Sequence, residues 1–453
     1  MGSVIGTGIY IRPASIAQLV GTPSAIMLVW IAAGLLSLAG TLTYSELAAR
    51  IPRSGGEYAY LRETLGEVPA FLYGWMRLTV GIGTIAGLAV AVTVFLADFV
   101  PLGGDWWRPV VPWPNHPFTI GLGPKQLIAV LIIFGLAIIN ISGVGKAGRF
   151  QSWVTTIKVI GLLGLIIAVW IFGHARAPVV TGFDGAAPVA RGTLAYGGAM
   201  LAAMTAFNGW ANVAMAGGEV QEPKRNLPWA LVLGICLVAV LYVAANLAFL
   251  HVLSMNEILS ANSTAHRNAS SVASRAAIAA LGHCVGIVLP LLFMVSTLGT
   301  LHCNLLAVPR VFFAMARDRL LPSLFGRVAR TTRTPIVAIS ALAVTGAVLA
   351  VLGSYDQLTN RAVFGNLAFF ALNAFGLLRW RSRVPSEDER VRGTAATWIP
   401  VLFLTGTTCL LVALILRGSV EITAAIVLIV VGLPVFILMR SHRTASGQVH
   451  KLG

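Results

Sequence analysis

The chain has 453 residues, of which 57% are hydrophobic and only 11% carry a charge. Soluble domains carry charges on about 25% of their residues, so this composition excludes a water-soluble protein. A net charge of +16 is also found in nucleic-acid-binding proteins. Here, however, the basic residues lie between long apolar runs, where they act as topology signals. The chain is predicted to be an integral membrane protein with lipid around it and no nucleic-acid partner.

Crossing a bilayer requires about 20 mainly apolar residues in one helix. The sequence contains about eleven such runs, preceded by a shorter apolar stretch at residues 1–20. In chain order they are 24–48, 68–100, 125–143, 150–172, 193–217, 228–252, 276–309, 335–353, 361–379, 398–416 and 420–439. The runs 68–100 and 276–309 exceed a simple crossing, so we expect them to tilt or to extend past the bilayer.

The positions of Lys and Arg between the runs predict the orientation. One side of the membrane carries 21 of them and the other side carries eight. Because cytoplasmic loops are enriched in Lys and Arg, the first side is predicted to be cytoplasmic. This side includes the tail at 441–453, so we expect a multi-pass protein of the cytoplasmic membrane with a cytoplasmic C-terminus.

Cysteine and histidine give no sign of an enzyme or a metal protein. The four cysteines lie inside or at the ends of apolar runs, which argues against a disulfide framework: Cys236, Cys284, Cys303 and Cys409. The histidines within or near the runs are scattered, and neither HExxH nor GxSxG occurs: His251, His283 and His302. We therefore expect no catalytic residues, no metal and no cofactor.

Two apolar runs are interrupted in a way that ordinary packing does not require. Three glycines and two hydroxyls interrupt the first stretch at 2–9, GSVIGTGI, and two amides flank a glycine at 207–212, FNGWAN. Amides and free backbone groups are costly at membrane depth unless they line a cavity. The interruptions open two successive five-helix blocks, 1–172 and 193–380, followed by two helices at 398–440. Paired interruptions of this kind are typical of transporters built on inverted repeats.

Four motifs in order resemble those of the amino acid–polyamine–organocation superfamily, most closely its L-type amino acid transporter branch. They are GSVIGTGIYIRP at 2–13, YSELAARIPRSGGEYAYLRE at 44–63, AFNGWANVAMAGGEVQEPKRNLP at 206–228 and TLGTLHCNLLAVPRVFFAMARDRLLP at 297–322. The resemblance implies an all-α polytopic membrane protein with the leucine-transporter-type fold, twelve helices, broken helices 1 and 6, and alternating access. Superfamily members carry a half-helix before the first motif, so helix 1 at residues 1–20 is expected to be incomplete here.

The resemblance also implies where an amino acid binds. It assigns the substrate carboxylate to Gly6, Thr7, Gly8 and the adjoining backbone to Ile9, and the ammonium to carbonyls near Val4, Ile5 and Phe207. Asn208, Gly209 and Trp210 are expected to shape the side-chain pocket and the gate. When the stretch at 1–20 is counted as span 1, the run at 150–172 is span 5. In the L-type branch a lysine lies in the fifth span, and VTTIKVIGLL at 154–163 aligns Lys158 with it. Lys158 is expected to replace a sodium ion there, beside Ser296, Thr297 and Thr300.

Acidic residues help to predict the substrate, a small-molecule amino acid. No Asp or Glu lies in the middle of spans 3, 6, 8 or 10, and a dicationic polyamine would require a buried carboxylate. The expected activity is therefore sodium-independent transport of neutral L-amino acids, by exchange. A polyamine or cationic amino acid antiporter and a proton-coupled symporter are the alternatives, and the oligomeric state is left open. Glu46, Glu57 and Glu219 are interpreted as gate or fold contacts.

Overall fold

The computed structural model describes residues 1–97, 99–107, 110–111, 118–119, 122–174, 192–262, 270–282, 285, 288–352, 355–383 and 395–449. Cys284 and His283, with most of the predicted loop at 173–192 and the last four residues of the tail, lie outside this described part. Within it the chain is almost entirely helical. The exceptions are connecting segments and one small hairpin in which Val110–Val111 pairs antiparallel with Phe118–Thr119.

Nineteen α-helices are described, and they are numbered here in chain order. They are α1 Gly8–Val20, α2 Pro23–Arg50, α3 Glu57–Leu65, α4 Glu67–Thr79, α5 Gly83–Leu96, α6 Pro124–Ile141, α7 Val144–Phe172, α8 Thr193–Phe207, α9 Asn212–Met215, α10 Pro223–Val252, α11 Met255–Leu259, α12 Val272–Leu281, α13 Val288–Ala307, α14 Pro309–Arg317, α15 Ile336–Leu352, α16 Tyr355–Arg383, α17 Ala395–Leu416, α18 Val420–Val430 and α19 Gly432–Val449.

Nine helical stretches in the described part are long and apolar enough to cross a membrane, and three shorter apolar helices accompany them. Their order follows the apolar runs of the sequence. Large apolar side chains such as Trp153, Leu237 and Leu402 are exposed on the outer faces of α7, α10 and α17. Such faces suit hydrocarbon and not water, so the prediction of a multi-pass membrane protein is confirmed.

Helix boundaries differ from the predicted runs at several places. The run predicted at 68–100 is divided between α4 and α5, and the run predicted at 420–439 is divided between α18 and α19. The run predicted at 276–309 is divided, because α12 ends at Leu281 and Gly282 has a φ of 77°, which favours glycine. The run predicted at 193–217 is also shorter as a helix, because α8 ends at Phe207. By contrast, α2 begins where local chemistry predicts, since Thr22 caps the amide of Ala25 and Pro23 occupies the first turn.

The packing of the helices brings the two glycine-rich interruptions together. α1 packs along α8, and α2 packs along α10. α5 packs against both α13 and α16. Residues 4–7, just before α1, are therefore buried, and residues 2–5 contact α7, α10, α13 and the segment after α8.

Candidate functional site

The two non-helical segments, residues 2–7 and 208–211, touch each other inside the bundle. After α8 the chain turns extended at Asn208, with φ −63° and ψ 144°, and Gly209 follows with a φ of 108°. The Ser3 hydroxyl donates a hydrogen bond of 2.8 Å to the Gly209 carbonyl. A Cβ at Gly209 would lie 2.6 Å from the Ser3 carbonyl oxygen. Both the backbone angle and the close approach therefore require glycine at position 209.

A second close approach lies between the start of α1 and the end of α8. A Cβ on Gly8 would overlap the backbone of Ala206 and lie 2.6 Å from its methyl carbon. The two helix ends thus meet backbone to backbone, an arrangement that small residues permit in membrane proteins. The positive N-terminal end of α1 and the negative C-terminal end of α8 both border the space between them.

That space is a cavity of about 30 Å³, room for about two water molecules. Every described residue that lines it is uncharged. The lining comprises Ser3, Val4, Gly6, Thr7, Gly8, Thr84, Leu88, Thr205, Ala206, Asn208, Gly209, Thr300, Asn304, Thr359 and Val363. Hydroxyls, amides and backbone groups supply its polarity, which suits a small ligand that carries its own balanced charges.

Directly behind the cavity, a buried lysine bonds to the non-helical segment. Lys158 on α7 has no solvent exposure, and its Nζ lies 2.6 Å from the Gly2 carbonyl oxygen and 2.7 Å from that of Ile5. It also reaches the Ser296 carbonyl oxygen and the Thr300 hydroxyl of α13, each at 3.2 Å. An ammonium has three protons to donate, so this single charge links α7, α13 and residues 2–5.

Comparison with known proteins identifies the family. The family model described as "Amino acid permease" matches residues 1–439. The chain belongs to the amino acid permease family. It is 28% identical to the "Serine/threonine exchanger SteT" of Bacillus subtilis, over 98% of this chain and 95% of that protein.

Two human relatives match over similar lengths. The permease is 28% identical to "Asc-type amino acid transporter 1", over all of this chain and 82% of that protein. It is 27% identical to "Large neutral amino acids transporter small subunit 2", over 97% of this chain and 78% of that protein. The resemblance to the amino acid–polyamine–organocation superfamily near its L-type branch is thus confirmed. The family and these relatives are transporters and not enzymes.

Seven of the residues singled out from the sequence line the cavity of the permease, namely Val4, Gly6, Thr7, Gly8, Asn208, Gly209 and Thr300. The Val4 and Ile5 carbonyls already accept hydrogen bonds, from Tyr242 at 3.0 Å and from Lys158 and Thr300. Ser296 donates to the Ile5 carbonyl at 3.3 Å, whereas Thr297 donates to Phe293 within its own helix.

The aromatic residues lie away from the cavity. Trp210 is buried, and its ring packs against Tyr44, 4.9 Å between centroids, and Phe370, 4.8 Å. Phe207 packs instead against Trp30 and Tyr242. Ile9 is buried in α1 and does not line the cavity either. In this conformation Trp210 therefore contacts α2 and α16 and does not face the cavity.

Two polar elements of the site could not be given a role from the sequence. Tyr242 on α10 donates to the carbonyl of Val4 or Ala206, at 3.0 and 3.2 Å. Arg77, buried in α4, donates to Asn366 at 3.0 Å, and Asn366 donates to Asn208 at 3.1 Å. In the sequence, Tyr242 and Arg77 stand out as polar residues within apolar runs. Their hydrogen-bond partners, however, lie far away along the chain.

Ion pairs cross-link one end of the permease. Glu46 of α2 accepts hydrogen bonds from Arg381 of α16, one of them at 3.0 Å, and Glu219 accepts from Arg310 at 2.9 Å. Tyr58 of α3 donates to Asp318 at 2.9 Å. Burial, together with the bond to Asp318, raises the pKa of the Tyr58 phenol above its ordinary value. These contacts link α2 to α16, α14 to the segment after α9, and α3 to the end of α14.

In the described part of the chain, no group of three or more His, Cys, Asp or Glu residues is placed to hold a metal ion. The carboxylate of Glu57 is buried and accepts hydrogen bonds from the hydroxyls of Tyr73 and Tyr44.

Proposed function

We propose that the permease is a secondary active transporter that moves small neutral L-amino acids by alternating access, through sodium-independent exchange. The observation that carries this proposal is the uncharged cavity between residues 2–8 and the end of α8. An amino acid carries a carboxylate and an ammonium, and the two interrupted helices offer a partner for each.

The carboxylate would bind at the N-terminal end of α1, around Gly6, Thr7 and Gly8. The first amide groups of a helix have no acceptor within that helix, and the helix dipole favours an anion there. The ammonium would bind to carbonyls of residues 4–5 and of the end of α8. A carbonyl oxygen has two lone pairs, so that of Val4, which shares the Tyr242 donor with Ala206, can accept a further donor. The Ile5 carbonyl already accepts from Lys158, Ser296 and Thr300, so the substrate ammonium would replace one of these donors there.

The side chain of the substrate is expected to be neutral, because no acidic or basic side chain occurs among the described residues that line the cavity. A second substrate charge would be buried without a counter-charge, which is costly. The small volume also favours a small side chain. Room for about two water molecules is less than any amino acid occupies, so the surrounding helices must separate before a substrate binds. The name of the bacterial relative, a serine/threonine exchanger, agrees with this substrate class.

Lys158 supports sodium independence. Its ammonium holds the Ile5 carbonyl together with Ser296 and Thr300, a set of oxygens that would otherwise suit a small cation. A permanently tethered charge is also compatible with exchange, in which a substrate accompanies each conformational change.

The architecture that we propose is the leucine-transporter type. Residues 1–172 and 193–380 form two inverted repeats, residues 398–440 add two helices, and residues 441–453 form a cytoplasmic tail. The matching positions of the two interruptions support it, as each opens a block of five helices. The end cross-linked by Glu46, Glu219 and Asp318 would be the cytoplasmic end, closed in this conformation.

Counterflow in proteoliposomes tests the proposed function. Vesicles loaded with unlabelled alanine are given labelled serine, lysine, glutamate or putrescine. We expect serine to accumulate at least about ten-fold faster than the other three, since burying an unpaired charge costs more than 1.4 kcal/mol. Faster accumulation of lysine or putrescine would favour a cation antiporter, and uptake that follows only a proton gradient would favour a symporter.

A further inference from the structure

A second cavity lies at the cross-linked end of the bundle, well apart from the proposed substrate site. Its volume is about 730 Å³, within the range of pockets that bind small molecules. One wall is the junction of α6 and α7, and the other is the loop between α14 and α15. Thr334 of that loop donates to the Ile141 carbonyl at 3.2 Å, which fixes the two walls to each other.

The lining of this cavity is strongly basic. Lys146 and Arg149 of α7, Arg310 of α14 and Arg333 of the loop all contribute to it, and Glu219 is its single acidic member among the described lining residues. Glu219 is held by Arg310, so its charge is already neutralised. Lys146, Arg149 and Arg333 form no ion pair with any residue that the structure describes. The cavity therefore keeps a local charge of about +3 from unpaired side chains.

Backbone groups add to the attraction for an anion. α7 begins at this cavity, with Gly143 before it at a φ of 134° and no side chain capping its first amides. Gly145, in the first turn, has open space where a side chain would lie. The first amide groups of this 29-residue helix can thus meet a ligand that Lys146 and Arg149 also reach.

The cavity borders the lipid. Trp153 of α7, one turn beyond Arg149, is 72% exposed, and Ile157 and Ile160 follow on the exposed surface of the same helix. Exposed Trp marks the membrane interface, so the cations lie near the level of lipid headgroups.

We propose that this cavity binds a phosphate-bearing anion, held by Lys146, Arg149 and Arg333 and by the first amides of α7. Arginine and lysine around a helix N-terminus form a typical phosphate site. The anion would bridge the α6–α7 junction and the α14–α15 loop. Its source is either the headgroup of an anionic lipid or a soluble phosphate ester, since both present the same chemistry.

The experiment compares the full-length wild type with K146Q/R149Q and with K224Q/R225Q. The control pair also removes one exposed lysine and one exposed arginine, near the start of α10 and outside the cavity. Native mass spectrometry measures bound phosphatidylglycerol against zwitterionic phosphatidylcholine. Calorimetric titration with inorganic phosphate and with glycerol 3-phosphate tests the soluble source. Thermal melting without added probe verifies that the three proteins are equally folded.

We expect the wild type and K224Q/R225Q to bind an anionic probe. K146Q/R149Q should bind it on the order of ten-fold or more weakly, because each basic residue near a lipid surface raises the affinity about five-fold. Selective loss of phosphatidylglycerol identifies the lipid as the source, and selective loss of a soluble probe identifies the ester. The proposal is overturned if the wild type binds no anionic probe, or if both variants bind as the wild type does. Failure of the transport assay would not affect this result, because binding is measured without substrate.

Discussion

Lys158 joins the non-helical segment of the proposed site to α13 by hydrogen bonds. Four acceptors surround its ammonium, two on residues 2–5 and two on α13. A buried charge is retained at low cost only when hydrogen bonds surround it. The lysine consequently adds to the backbone hydrogen bonds of this segment, which the amides of Val4 and Ile5 donate to the Met1 carbonyl.

Lys158→Ala is expected to slow exchange by about ten-fold or more, because the Gly2 carbonyl loses its lysine donor and the Ile5 carbonyl keeps only the hydroxyl donors of Ser296 and Thr300. Wild-type exchange is expected to be unchanged when choline replaces sodium. Uptake into proteoliposomes, with and without a pH gradient, measures both effects, and Lys125→Ala at a helix end serves as control. Strict sodium dependence of the wild type, or normal transport by Lys158→Ala, would refute the proposed role.

Two buried threonines one turn apart on α13 allow a matched comparison. The Thr300 hydroxyl donates to Ile5 at 2.9 Å, whereas the Thr297 hydroxyl donates to Phe293 within the helix. Thr300→Val should slow exchange several-fold, since one hydrogen bond at the site contributes about 1 kcal/mol. Thr297→Val should stay within about two-fold of wild type. Equal effects of the two variants on the exchange rate would show that the Thr300 contact has no special role.

The contact between helices α1 and α8 sets the geometry of the cavity. Gly8 meets the backbone of Ala206, and Gly209 meets that of Ser3. The first contact joins the start of α1 to the end of α8, and the second joins the two interruptions. Any side chain at these positions must push the two segments apart.

Gly8→Ala is expected to abolish exchange and to lower stability by about 1–3 kcal/mol, as overpacking does. Gly164→Ala on α7 is the control, because open space surrounds its missing side chain. We expect this control to be neutral or slightly stabilising, since alanine favours helix. Counterflow of serine and thermal melting report the two effects separately. Wild-type exchange by folded Gly8→Ala would place the substrate elsewhere.

For the whole molecule, the distribution of loop charges predicts which end faces the cytoplasm. Lys224 lies at the basic end and Lys125 at the other. Each position is changed to cysteine in a background without native cysteines and tested with a membrane-impermeant maleimide. Lys125→Cys should react in intact cells, whereas Lys224→Cys should react only after permeabilisation, because the end richer in Lys and Arg is retained in the cytoplasm. The reverse labelling pattern would invert the topology.

Much of the helical layout follows from the sequence because it depends on local properties. The second span was predicted at 24–48 and is found at Pro23–Arg50, since apolar length and an N-terminal cap are both local. The division at Gly282 was missed, because the surrounding residues are apolar on both sides and a hydropathy pattern cannot show a positive φ.

The sequence by itself determined that this is a membrane protein of the amino acid permease family, with interruptions of apolar runs at residues 2–9 and 207–212. These properties reside in composition, spacing and short motifs. Only the tertiary structure decided what the buried polar groups contact. It joined Lys158 to residues 2–5, brought Tyr242 to Val4, and turned Trp210 towards Tyr44 and Phe370 and away from the cavity. In a membrane interior such groups must find partners within the protein, and which partner lies within reach depends on how helices far apart in sequence pack.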